Sequence, residues 1–136
     1  MDLTNSMSIS AAGMKAQGAR IRTISENIAN AKSTGTAPGE DPYRRKTITF
    51  KSALNRDLGV HLVEAGRISV DRSPFKQVHM PNHPMANDAG YVKMPNVNTL
   101  VEMANLREAQ RSYEANVSVI ENARAMLMRT VDLLRA

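Results

Sequence analysis

With 136 residues, a formal charge of +5 and 4% aromatic side chains, the chain has room for one ordinary domain but little bulky material for a large single core. It contains no cysteine, which excludes a disulfide framework, a zinc ribbon and a thiol nucleophile. Basic residues are spread along the chain among acidic ones and only Arg44, Arg45 and Lys46 stand together, so no nucleic-acid partner is expected and this triplet reads as a solvated strand edge.

Residues 1–33 form the first segment, helical by period. Met7, Met14, Ile21 and Ile28 recur every seven residues, with Leu3, Ile24 and Ala31 on the companion positions of the heptad. Ser10 and Gln17 interrupt this stripe, while Gly13, Ala16, Gly18 and Ala19 offer small surfaces that another backbone can approach closely. Each internal glycine costs about 1 kcal/mol relative to alanine, so the helix depends on partners. It ends in "ISENIANAKSTG", where Asn27 and Asn30 look exposed and a Ser/Thr/Gly run follows. The amino terminus has neither a basic segment followed by an apolar core nor an 18-residue apolar run, so neither a cleaved signal peptide nor a membrane span is expected.

Residues 34–95 change character, from the turn-rich "KSTGTAPGEDP" to a small antiparallel β insertion. Tyr43 to Phe50 is predicted as a strand with Ile48 and Phe50 on one face. Val60–Leu62 and Ile68–Val70 alternate as two strands about an "EAGR" turn, Phe75–Met80 is a further strand, and "MPNHPMANDAG" is a loop.

In residues 96–136 the heptad returns more strongly. Leu106, Tyr113, Ile120, Leu127 and Leu134 are spaced by seven, with Met103, Val117 and Val131 on the companion positions and Gln110 and Arg124 as interruptions. No Gly or Pro occurs from Thr99 to Leu134, which predicts one helix of about 50 Å. Asn98 is its expected cap and Glu102 sits near its positive end. The fold class is therefore α+β: long terminal helices in an antiparallel, coiled-coil-like pair, with the β insertion between them. One narrow seam offsets the entropy of ordering both helices only with difficulty, so their order is expected to couple to assembly with other chains. Asn27, Asn30 and Asn116 can each donate and accept hydrogen bonds and are candidates for fixing the register between neighbouring helices.

Enzyme chemistry finds no footing. His79 and His83 are four apart, but Pro81 and Pro84 forbid the regular helix that would point both at one metal, and His61 reads as a strand residue. Ser112 and Ser118 lack a His/Asp constellation, and no phosphate-cradling glycine motif is present, so no catalytic residue, metal or cofactor is expected. A soluble coiled-coil adaptor is the alternative reading; it explains the heptads but not the β insertion.

"SENIANAKSTG" resembles the amino-terminal signature of the bacterial flagellar rod and hook proteins, and "EAQRSYEANVSVIENARAML" resembles their carboxy-terminal signature. "GYVKMPNVNTLVEM", which contains Asn96 and Asn98, narrows the resemblance to the proximal-rod type. The resemblance implies a structural subunit of the proximal rod, polymerising through its terminal helices into the drive shaft that transmits torque and encloses the export channel. It implies the periplasm-spanning basal body as location and export by the flagellar export apparatus without a cleaved signal peptide. It also implies as partners the chain itself, other proximal and distal rod subunits, and ring and export-gate proteins. The expected assembly interface is the two heptad stripes together with Asn27, Asn30, Asn96, Asn98 and Asn116. One departure stands out: the family signature passes from its Thr-Gly turn directly to an aromatic and a basic residue, whereas "TAPGEDP" intervenes here before Tyr43, Arg44 and Arg45.

Overall fold

A computed structural model describes residues 3–135. Its elements are α1 (Leu3–Ala29), β1 (Lys46–Asn55), β2 (Val60–Val70), β3 (Lys76–His79), β4 (Tyr91–Met94) and α2 (Thr99–Arg135). Two long helices enclose a small antiparallel β region in the sequence, an α+β arrangement. At 1.5 Å per residue α1 is about 40 Å long and α2 about 55 Å. The cap of α2 is Asn98, whose side-chain Oδ1 accepts from the Leu100 amide at 3.1 Å and whose carbonyl accepts from the Glu102 amide at 2.9 Å.

The chain packs as two compact units that cut across its linear segments. In the first, α1 up to Ile21 runs antiparallel to α2 from Arg107 onward, with Thr49–Arg67 of the β hairpin. Gly13 lies against the Asn116 side chain, so close that an added Cβ would stand 2.8 Å from Asn116 Nδ2. One helical stretch further, Arg20 pairs with Glu108 at 3.1 Å. The buried residues here are small: Ser10, Gly13, Ala16, Ala109 and Ala123. Gln17 Oε1 is buried with no hydrogen-bond partner among the described residues.

In the second unit, Arg22–Ile48 packs with Ile68–Leu106. Ile24, Pro42, Val92, Pro95 and Val97 are buried. β3 and β4 pair antiparallel with Lys76 opposite Met94 and His79 opposite Tyr91, and those last two rings pack at a tilt of 59° with centroids 5.0 Å apart. The linker is ordered by Glu40, whose Oε2 accepts from the amides of Thr36 at 2.9 Å and Ala37 at 3.0 Å as well as from the Thr36 hydroxyl. Gly39 takes the left-handed conformation this turn requires, with φ of 82°.

Two expectations for the β region are corrected. "EAGR" is not a turn: β2 runs unbroken from Val60 to Val70, and the hairpin reverses at Arg56–Gly59 instead. The reversal has its own local chemistry, since Asn55 Oδ1 accepts from the Asp57 and Leu58 amides and Gly59 has a φ of 63°. Gly66, which suggested a turn, serves close approach instead, because a Cβ there would meet the Thr49 carbonyl oxygen at 2.9 Å. The second correction is β1, which starts at Lys46 and not at Tyr43 and runs on to Asn55; β4 is a strand that residue spacing does not indicate. Gly66→Ala is expected to cost about 1–3 kcal/mol in denaturant unfolding, through overpacking against backbone. By contrast Gly18, which has open space around its Cβ position, should gain about 1 kcal/mol from alanine.

Candidate assembly interface and its internal polar lock

The two asparagines of "ENIAN" have different environments. Asn27 is 1% exposed, and its amide is saturated within the chain. Its Nδ2 donates to the Lys46 carbonyl at 2.8 Å and to Glu102 Oε2 at 3.1 Å, while its Oδ1 accepts from the Lys46 amide and the Tyr43 hydroxyl, both at 2.8 Å. This uses both donors and both acceptor sites, the full capacity of a carboxamide. Asn30, half-buried, donates to the Glu26 carbonyl at 2.9 Å and accepts from the Ser33 hydroxyl through its own carbonyl at 2.8 Å, which closes the carboxy end of α1.

Glu102 is equally buried, and its partners are polar. The Arg45 Nε–H donates to its Oε1 at 2.8 Å, and Arg45 also reaches Asp71 at 3.5 Å. Asn96 completes the cluster. Its Oδ1 accepts from the Arg45 amide at 2.8 Å, and its Nδ2 donates to the Asp71 carbonyl and to Ser73. Lys46 Nζ pairs with Glu26 at 2.6 Å. The last turns of α1, the entry to β1, the segment after β2 and the first turn of α2 are thus tied at one point, without any nucleophile poised beside a base. The basic triplet is therefore not a solvated edge: Arg45 and Lys46 belong to this lock, and Arg44 lies 4.2 Å over the Phe75 ring.

Burial, then the carboxylates of Glu26 and Glu102, push the Tyr43 hydroxyl up to about 12. The Ser73 amide and hydroxyl, then Arg45, hold the Asp71 carboxyl below the usual range. The Tyr43 shift has a defined sign. The folded state holds the phenol proton more tightly than the unfolded chain, so this contribution is fully present below pH 10 and is lost as pH rises from 10 to about 12. Alkaline unfolding followed by circular dichroism should show that loss, and Tyr43→Phe should abolish it.

Comparison with known proteins decides the family. A model of the C-terminal region of flagellar basal body rod FlgEFG proteins matches residues 88–133. The flagellar basal-body rod protein FlgC of Agrobacterium fabrum (strain C58) is 50% identical over 134 residues, covering 98% of this chain and 96% of that protein. The FlgC proteins of Escherichia coli O157:H7 and Salmonella typhimurium (strain LT2) are 36% and 35% identical over 133 residues, covering 98% of each chain. This chain belongs to the FlgC family of flagellar basal-body rod proteins.

In this FlgC-family chain the expected interface residues fall into three groups. Asn27 and Asn96 lie in the internal lock, and Asn98 is exposed but engaged as the cap of α2. Ile24 is buried; Met7, Met14, Ile21, Ile28, Asn30, Leu106, Asn116, Val117 and Ile120 are half-buried. Met103, Tyr113, Leu127, Val131 and Leu134 are exposed. The closest contact between the helices is thus made by small residues, and the bulky heptad positions flank it. Residue spacing missed Tyr43, Arg45, Glu102 and Asp71 as partners of Asn27 and of one another. The resemblance carried a signal for the first two, since the rod and hook signature that "SENIANAKSTG" resembles passes from its Thr-Gly turn to an aromatic and a basic residue. The "TAPGEDP" insertion does not prevent Tyr43 and Arg45 from supplying them.

Among the described residues no helix is long and apolar enough to cross a membrane. His83 Nδ1 accepts from the Met85 amide at 3.1 Å and His61 Nδ1 lies 3.2 Å from the Ser52 hydroxyl, both structural contacts.

Proposed function

We propose that this chain is a structural subunit of the flagellar basal-body rod, built into it through the faces of its terminal helices. The observation that carries the reading is the match to FlgC proteins over 98% of the chain, in a fold whose bulky heptad side chains, apart from buried Ile24, remain half or fully exposed. Exposed Tyr113, Leu127, Val131 and Leu134 gain burial only from further chains, each worth roughly 1.5–3 kcal/mol when fully covered. The partners are copies of this chain and the neighbouring rod subunits, the location is the periplasm-spanning rod, and the route is the flagellar export apparatus. The adaptor alternative leaves the polar lock and the β region without a purpose.

The test uses cells lacking the chain. They should be non-motile with basal bodies truncated at the rod, and the wild-type chain should restore both. Leu127→Asp should be exported yet fail to incorporate, because a carboxylate would enter the apolar stripe. Full-length rods in the absence of the chain, or normal incorporation of Leu127→Asp, would count against the reading.

A further inference from the structure

The first packing unit contains a projection and a recess that do not meet within one molecule. The register set by Gly13 beside Asn116 places Leu3 opposite Met126, so Leu127–Arg135 of α2 runs on past Leu3. On this overhang Leu127, Val131 and Leu134 continue the stripe by which Ala109 and Ala123 pack on α1, and they are 37%, 46% and 83% exposed. The recess is a groove of about 450 Å³, floored by Ala12, Ala16 and Ala19 of α1 and walled by Leu62, Val63 and Ala65 of β2. A cavity of about 150 Å³ holds one benzene, so this groove has room for roughly three aliphatic side chains.

Resting on the rod reading, we propose that the α2 overhang of one copy docks in the α1–β2 groove of the next copy. Three features select a second copy as the occupant. The overhang continues a stripe that already packs on the small-residue surface of α1. Its charge is also compatible: at 100° per residue Arg135 flanks the stripe and is opposite in sign to exposed Glu64 on the β2 wall, which pairs with Lys51 at 3.4 Å across that surface. Finally, a copy cannot fill its own groove. In the helix register Ala12–Ala19 lies opposite residues 110–117, so the overhang begins ten residues further on, about 15 Å along the axis. Overhang into groove is a heterologous contact, and such contacts repeat into open-ended helical arrays when they do not close into a ring.

Because the chain has no cysteine, disulfide trapping is clean. The experiment pairs Leu134→Cys with Ala12→Cys or Ala19→Cys in the full chain, expressed in cells lacking the native copy, and oxidises isolated basal bodies. The expected result is a ladder of linked copies, lost when the groove cysteine is moved to exposed Leu100. Full-length rods that contain the paired variants but give no ladder would overturn the docking while leaving the rod assignment standing. Linkage through Leu134→Cys alone, or only to a different protein, would overturn it equally. Rods that never contain the chain would refute the rod assignment and this contact with it.

Discussion

Arg45→Met should destabilise the fold by about 3–5 kcal/mol, read as a drop in the midpoint of denaturant unfolding. The reason lies in Glu102, whose side chain is 1% exposed and whose closest positive partner is the Arg45 guanidinium at 2.8 Å. Without it a carboxylate stays buried beside the Asn27 amide, with no countercharge to offset its lost hydration. The double variant Arg45→Met/Glu102→Met should recover most of the loss, leaving about 1 kcal/mol for the hydrogen bond Asn27 then lacks. A double variant as unstable as the single one would show that the pair acts through packing and not through charge. Surface pairs such as Lys51–Glu64, 3.4 Å apart and more than half exposed, should contribute under 1 kcal/mol by the same measurement.

The second large effect is expected at Asn27. Asn27→Asp changes only an NH2 to an oxygen, yet it replaces two donated hydrogen bonds with oxygen-to-oxygen contacts, one to the Lys46 carbonyl and one to Glu102. A second carboxylate then sits about 3 Å from the first in a site closed to water, so a loss of roughly 3–5 kcal/mol is expected. Asn30→Asp, one turn on, keeps a solvent-accessible position and gives up one helix-end contact, costing about 1 kcal/mol. Comparable losses at the two positions would remove the distinction between a buried lock and a local helix end.

That distinction also marks how far the sequence could be read. Heptad periods gave both helices, with the absence of Gly and Pro adding to the signal for α2, and the Asn98 cap was legible because capping depends on residues two or three apart. The β region was read less well because a glycine has several uses. At Gly59 it permits a positive φ, whereas at Gly66 it makes room for the Thr49 carbonyl, and spacing alone does not separate the two. The lock was hidden for another reason: Asn27, Arg45 and the Asn96–Glu102 segment are three distant stretches with no common period. Arg45 in particular stands in a basic triplet, which composition assigns to solvent, while tertiary structure gives it a buried carboxylate. Spacing marks the heptad stripes, but which part of each faces the other helix is decided by small residues such as Gly13, Ala109 and Ala123. Close helix approach at those positions leaves the bulkier flanks outward, where an assembling chain has use for them.

Amide hydrogen exchange tests most directly whether the helix faces are completed by other chains. In the dilute free protein, amides of α2 from Arg124 onward should exchange with little protection while those around the Asn27–Glu102 lock resist, and in isolated basal bodies the whole of α2 should be protected. Equal, strong protection of residues 124–135 in the free chain and in the rod would contradict the account.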